Sequence, residues 1–546
     1  MHRWVPLLAV AFSAVAVSAQ THSSGAATHR TAPRTAPTSP QARVCDNAKL
    51  LTGPAKAPKH AVLVRPGTNN STIGQARNLK RDTTYYLLTG THTLGKTTYG
   101  QIDPAQGDTF VGAPGAVLSG QGKNQSAFAG SAKTVTIEYL KIKNFAAPED
   151  QMVVNHNGAA RWKIEHDTVE RNTGAGVDLG SYDVAEYDCL THNAQEGFES
   201  YNTSGTVRTV VLSHDEISYN DGSTKGTGHY DHGSTTCGCG GGGKFWEVTN
   251  AVVETNYVHN NGDPGIWVDT DNAGFLISHN YIEDNFSVGI QYEISYNATI
   301  SDNTLVRNSI GSGQANAGFP TGAIYISNSG GSSAVTSHYK GELRISQNVL
   351  IDNWGGVVLY TNADRYCGDS YDDACTRGTP STYTITSCRK HLTGATATQT
   401  PDYYDNCRWS TKTVTVSTNT FNFTPSGVSP KCSVAATCGF NGVFSLWGTT
   451  TPWKGWVVPV QMVNHRHNVF KDNTYNGNWH FDVLAQGVVS TWAQWTRGTV
   501  TVTGHRAAAQ DAGSTFDRWS RSRLSEASRR RSTRPPGDGS PTESHG

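Results

Sequence analysis

The stretch from Gly241 to Ser295 carries two near-copies of one unit, and this repeat limits what the chain can fold into more than any other feature. Asn256 is followed nine residues later by Gly265 and thirteen later by Asp269; Asn280 is followed by Gly289 and Glu293 at the same offsets, a period of 24 residues. After each glycine, apolar and polar residues alternate. Ile266, Val268 and Thr270 fall on one face of an extended segment, with Trp267, Asp269 and Asp271 on the other. In the second copy Ile290, Tyr292 and Ile294 lie opposite Gln291, Glu293 and Ser295. Short strands, Asn-rich turns and no helical period predict a solenoid whose coils stack strand upon strand. Stacked strands lie about 4.8 Å apart, so Asp269 and Glu293 are expected as neighbouring carboxylates on the outside of a parallel sheet.

The repeat extends beyond this stretch. An Asn or Asp precedes a second Asn by five residues in Asp167/Asn172, Asp188/Asn193, Asp215/Asn220, Asn256/Asn261, Asn280/Asn285, Asn303/Asn308, Asn348/Asn353 and Asn468/Asn473. Asn suits such a corner because it tolerates left-handed backbone and can bond the next Asn along a stack. The ladder is structural and is given no chemistry. Before it, the segment 71–80 places Ile73, Ala76 and Leu79 at helical spacing, which predicts a short helix covering the open end of the first coil. Insertions at 205–243 and 361–466 interrupt the repeat and are placed to wall a groove. Trp447, Trp453 and Trp456 in the second insertion suit either stacking on sugar rings or the core of their own loop.

The ends differ in kind from this body. Residues 1–19 combine His2 and Arg3, an apolar run and a small-residue end, the pattern of a secretory signal peptide too short to span a membrane. Residues 20–44 have the composition of a disordered linker and residues 517–546, with Arg529, Arg530 and Arg531, that of a disordered basic tail. A single solenoid domain is expected over 45–516. The chain carries 44 Lys and Arg against 44 Asp and Glu, and this balance argues against nucleic acid as its main partner. Ten cysteines in an exported chain favour disulfides, with Cys367/Cys375, Cys388/Cys407 and Cys432/Cys438 as close pairs and Cys45, Cys189, Cys237 and Cys239 left over. Cys237 and Cys239 find no second Cys/His pair at zinc spacing, so no metal site is expected there.

The chemistry concentrates in two outward columns. Two residues after the glycine of each coil stand Asp178, Glu199, Trp267 and Gln291; four after it stand Asp269 and Glu293. With Gly242 as the mark of the intervening coil, Lys244 and Trp246 join these columns. Two carboxyls one coil apart cannot both ionise cheaply, and the resulting split suits acid/base work on a glycosidic bond. Trp beside them offers a flat surface for a sugar ring. A solvated sheet face with compensating charges is the bland alternative, and the two interleaved Trp residues weigh against it.

The segments GDTFVGAPGAVLSGQG, GGGKFW, NNGDPGIWVDTDN, GIQYEISYNATISDNTLVRN and AQDAGSTF resemble the right-handed parallel β-helix proteins of the pectin-lyase-like superfamily, most closely secreted bacterial, actinobacterial-type repeat proteins. The resemblance implies an all-β, right-handed parallel β-helix with a short N-terminal capping helix and Cys-rich loop insertions. It also implies a secreted monomer whose partner is a polysaccharide, with no membrane or nucleic-acid role. Pectate lyases, polygalacturonases, other glycoside hydrolases and non-catalytic binders share this fold. The expected function is glycosidic hydrolysis without a cofactor, with Asp269 and Glu293 as the catalytic pair and Asp271 in support. Lys244, Trp246, Trp267, Gln291, Glu199 and Asp178 are the expected substrate-binding residues. The polygalacturonase-like set of three stacked Asp residues with a nearby His-Gly is matched only in part, since His229, Asp231, His232 and Gly233 lie upstream in a loop. A pectate-lyase-like alternative would hold Ca²⁺ on the acids of the column and use Lys244 as the base.

Overall fold

The computed structural model describes residues 43–517, except 68–72, 74–79, 96, 202–205, 222–239, 316–318, 367–383, 385, 388–406, 434–436, 447–450, 452 and 454–455. The expected signal peptide, most of the expected linker and the tail from 518 therefore lie outside the described residues. So do most of the expected capping helix at 71–80, the loop bearing His229, Asp231, His232 and Gly233, Trp447, and Cys237, Cys239, Cys367, Cys375 and Cys388.

Three sheets run along the molecule. The first has 13 strands, from Val62–Val64 to Val469–Lys471, and the second has 13, from Gly90–Thr93 to Thr515–Asp517. The third has 11, from Met152–Val154 to Val489–Ser490. Once all three are present the chain visits each in turn, so neighbours within a sheet are equivalent strands of successive coils. They pair in parallel, apart from the closing pair of the third sheet, His480–Ala485 with Val489–Ser490. Alternation decides what faces inward. In the first sheet Ile137, Ile164, Ala185 and Leu212 stack in register and are fully buried, as are Ile142, Val169, Leu190 and Ile217 in the second.

The corner between the first two sheets explains the five-residue Asn spacing. One non-glycine residue in left-handed backbone follows each first-sheet strand from Thr136–Glu138 onward: Tyr139, His166, Tyr187 and His214 in four successive coils, with φ between 61 and 62°. From His166 onward the ladder residue comes next, then a three-residue strand such as Thr168–Glu170, then a second left-handed residue such as Arg171 (φ 56°), then the second Asn. Left-handed backbone costs an L residue roughly 1–2 kcal/mol, and the ladder offsets it. Asn303 Oδ1 accepts from the backbone N of Asn280 at 3.0 Å and from its Nδ2 at 2.9 Å, while the same Nδ2 donates to the Val253 carbonyl at 2.9 Å.

One pair is misplaced by the spacing rule. The ladder runs from Asn348 to Asn419 and then to Asn473, so Asn473 stands where the first member of a pair belongs. Asn468 precedes a first-sheet strand instead, accepting from Val414 N at 3.3 Å. Asn419 escaped the sequence reading because no Asn follows it at five residues; the second sheet's strand is one residue longer there, Thr420–Phe423.

The two ends of the described chain are tied down by different means. Near the start, a short helix at Ala48–Leu51 follows a segment laid against the second sheet. Cys45 is bonded to Cys189, two of the cysteines that spacing left unassigned. Glu216 Oε2 accepts from Val44 N at 2.7 Å and Cys45 N at 2.9 Å, and His259 Nε2 lies 3.1 Å from its other oxygen. At the far end the helix Trp492–Arg497, with a Thr491/Gln494 capping box and a left-handed Gly498 (φ 57°), covers the last coil. Its Trp495 is buried against Phe481, ring centroids 5.0 Å apart. The expected Cys432–Cys438 bond is present, and Cys407 is bonded to a partner outside the described residues. Trp453 belongs to the core of its insertion, 1% exposed with the Arg408 guanidinium over its ring at 5.0 Å, so it is not a sugar platform.

Candidate active site

The GGGKFW segment sets the register of the outer face of the third sheet. Gly241 has φ 107°, a left-handed value that glycine alone adopts freely. A Cβ at Gly243 would come within 2.2 Å of the Phe198 ring, so the small residue lets the strand press against the coil before it. The strand that follows pairs Lys244 with Trp267 and Trp246 with Asp269. The two columns therefore form as the spacing predicts: Asp178, Glu199, Lys244, Trp267 and Gln291 in one, Trp246, Asp269 and Glu293 in the other.

These side chains are more covered than an outer sheet face suggests. Lys244 is 1% exposed, and its Nζ lies 3.0 Å from Asp269 Oδ2. The ammonium also sits over two indole faces, 4.7 Å from the Trp246 ring and 4.2 Å from the Trp267 ring. Burial alone would pull Lys244 down. The charges of Asp269, Glu196 and Glu199 outweigh it and hold the ammonium above its ordinary pKa. Asp269 takes a second bond on its other oxygen, from Thr270 Oγ1 at 3.0 Å. Glu293 is held between Arg365 Nη1 at 2.8 Å and Gln291 Nε2 at 2.7 Å.

The acids on the N-terminal side behave differently. Burial raises Glu199 to about 7 despite the opposing pull of Lys244. Asp178, one coil before it, is pushed well above the carboxylate range by burial and then by the charge of Glu199. Glu196 is fully buried, neither of its oxygens has a hydrogen-bond partner, and burial raises it well above its usual value. The face thus holds carboxylates paired with cations beside carboxyls that burial shifts toward the protonated form.

Two expectations need correction. Asp271 does not share the outer face by alternation, because the strand ends at Asp269 and both Thr270 (φ 48°) and Asp271 (φ 57°) turn into left-handed backbone. Ile294 (φ 44°) ends the next strand in the same way, and Ser295 turns its Oγ to accept from Asn272 N at 3.3 Å, inside the corner. Asn accepts left-handed backbone as readily as Asp does, so Asp271→Asn should change turnover by less than about threefold, measured beside wild type on any cleaved substrate. Sequence reasoning also missed Glu196 and Arg365. Glu196 lies three residues before Glu199, off the alternation, and Arg365 comes from a long insertion whose docking no periodicity reports. Among the described residues no three His, Cys, Asp or Glu side chains converge as metal ligands.

The description "Right handed beta helix region" matches residues 152–338. No curated protein matches the sequence. Among solved structures, the catalytic unit of the GH87 α-1,3-glucanase from Streptomyces thermodiastaticus is 11% identical, covering 86% of this chain and 71% of that one, with a TM-score of 0.46. A PL6 alginate lyase in complex with a trisaccharide is 10% identical, covering 84% and 97% with a TM-score of 0.40. The A-module of the Azotobacter vinelandii mannuronan C-5 epimerase AlgE4 is 12% identical, covering 58% and 93% with a TM-score of 0.34. With three parallel sheets in stacked coils and the match over residues 152–338, the chain is a right-handed parallel β-helix.

Proposed function

We propose that this protein is a secreted glycoside hydrolase acting on a polysaccharide, with Glu199 as general acid and Asp269 as the base that activates water. The observation that carries the reading is the pairing on one face of a carboxyl raised to about 7 with a carboxylate fastened to a buried ammonium. A proton passes from Glu199 to the glycosidic oxygen as the bond from the anomeric carbon breaks. Water attacks that carbon, and Asp269 takes the proton that water releases. Lys244 positions Asp269, and Trp246 and Trp267, both partly exposed, supply stacking surface. Glu293, Gln291 and Asp178 complete the substrate-facing columns. The disulfides fit an oxidising compartment outside the cell.

The protonation of Lys244 favours hydrolysis over elimination. A lyase base has to accept a proton, and Asp269, 3.0 Å away, holds this one charged. Glu199 and Asp269 stand two coils apart, roughly 9.6 Å along the axis at ~4.8 Å per coil, and in neighbouring columns two residues, roughly 6.6 Å, apart along the strand; their backbones are too far apart for the close carboxyl pair of a retaining enzyme, and their side chains have to converge to reach the ~6.5–9.5 Å of an inverting one. Proton NMR of the first product should therefore show the anomer opposite to that of the bond cleaved. Retention would move the chemistry to the adjacent pair, Asp269 and Glu293, and unsaturated products absorbing in the ultraviolet would sink the hydrolase reading.

A further inference from the structure

We propose that the glycan bound on this face is uncharged, and that polyuronates are turned away. This rests on the hydrolase reading and adds the substrate class. Among the described residues two cations act on the columns, and each is already joined to a carboxylate within them: Lys244 to Asp269 at 3.0 Å and Arg365 to Glu293 at 2.8 Å. The other ionisable groups gathered there are acids: Asp178, Glu196 and Glu199, with Asp150 and Asp221 acting on Glu196 from the strand ends. A uronate carboxylate entering the face would lose water without gaining a cation, and would come to lie among carboxyls. Drawing Lys244 or Arg365 away would leave Asp269 or Glu293 buried and unpaired, which costs more than the new contact returns.

What the face does offer suits hydroxyls and the apolar sides of sugar rings. Beyond the charged coils the same columns continue into Tyr325, in register with Gln291, and into Ser327 and Tyr360, in register with Glu293. Phe319 packs edge-on against Tyr325 at 5.9 Å and Tyr360 at 5.3 Å. Tyr325 and Phe319 keep part of their surface exposed. Along the helix axis Trp267 and Tyr325 thus flank the Gln291 amide in one column, while Asp269, Glu293 and Ser327 follow Trp246 in the other.

The test uses the full secreted chain and polymer pairs that differ only at C6. Neutral glucans, galactans and mannans are each compared with their C6-oxidised forms, and polygalacturonate and alginate with their carboxyl-reduced forms. Retention in affinity electrophoresis at low and high salt is read beside release of reducing ends. Within any pair that is retained, the neutral member should bind at least about tenfold more tightly at both salt concentrations. Tighter, salt-weakened binding of the acidic member overturns the proposal. A neutral polymer retained without cleavage supports the substrate class and overturns the hydrolase reading; retention of no polymer overturns both.

Discussion

Glu199→Gln should lower turnover on a cleaved glycan by about 10²–10⁴-fold while the melting temperature stays level or rises. Gln copies the shape of the protonated acid that burial already favours, and it removes only the proton to be donated. Because Glu199 is raised to about 7, wild-type kcat/KM should fall as pH climbs through that value, and the variant should lack this limb. Asp269→Asn is expected to differ. It leaves Lys244 buried without its nearest partner, and breaking a buried pair costs roughly 3–5 kcal/mol, so turnover and melting temperature should fall together. Adding Lys244→Met to Asp269→Asn should return part of the lost stability, since neither charge is then stranded. Wild-type turnover in Glu199→Gln would remove it from the acid's role.

The melting temperature should rise as pH is lowered from about 8 toward 5, the reverse of the trend for a protein stabilised by ionised carboxylates. Asp167, Asp188 and Asp215 occupy three successive ladder positions that later coils fill with Asn. One oxygen of each accepts a backbone N–H, as from Leu140 at 2.6 Å and Asp167 at 2.7 Å, while the other, buried, has no partner. Burial pushes all three well above the carboxylate range, and Glu138, Glu165 and Glu186 on the adjoining strands push the same way. Asp183, raised to about 8, adds to the effect.

A raised folded pKa means that the folded chain holds protons the unfolded chain has released. Stability is then complete below the unfolded value near 3.9 and is lost as pH passes through the folded one, at about 1.4 kcal/mol per pH unit for each such group. The triple variant Asp167→Asn, Asp188→Asn, Asp215→Asn should flatten this slope and raise the melting temperature by several degrees near pH 8. Its amides would donate as Asn256 Nδ2 does to the Leu212 carbonyl at 3.0 Å. Differential scanning fluorimetry across this range decides it, and a wild-type melting temperature that climbs with pH would sink the prediction.

Much of the solenoid was legible because its signals are local and repeat. The glycine nine residues after a ladder residue sets strand register, so Glu199, Trp267 and Gln291 could be aligned without coordinates, and Lys244 followed once Gly242 was taken as the mark. Asp271 was lost because alternation says nothing of where a strand stops. The left-handed backbone that stops it is adopted by Thr, Ile and Asp here, where a sequence reading looks for Gly. The ionisation of the site was not legible either. Arg365, which pairs with Glu293, arrives from an insertion more than 70 residues downstream, and the burial that raises Glu199 is encoded by no spacing.

The clasp at the start of the described chain imposes an order on folding. Val44 and Cys45 hydrogen-bond to Glu216, more than 170 residues away, and Cys45 is bonded to Cys189. Neither partner is in place until the coils carrying them have stacked, so the first segment to emerge is among the last to dock. A Cys45 thiol that is still free before those coils close is open to pairing with another of the chain's cysteines. In refolding, closure of the Cys45–Cys189 bond would therefore lag the growth of β structure, and the bond would serve as a chemical clock for the completion of the first half of the helix.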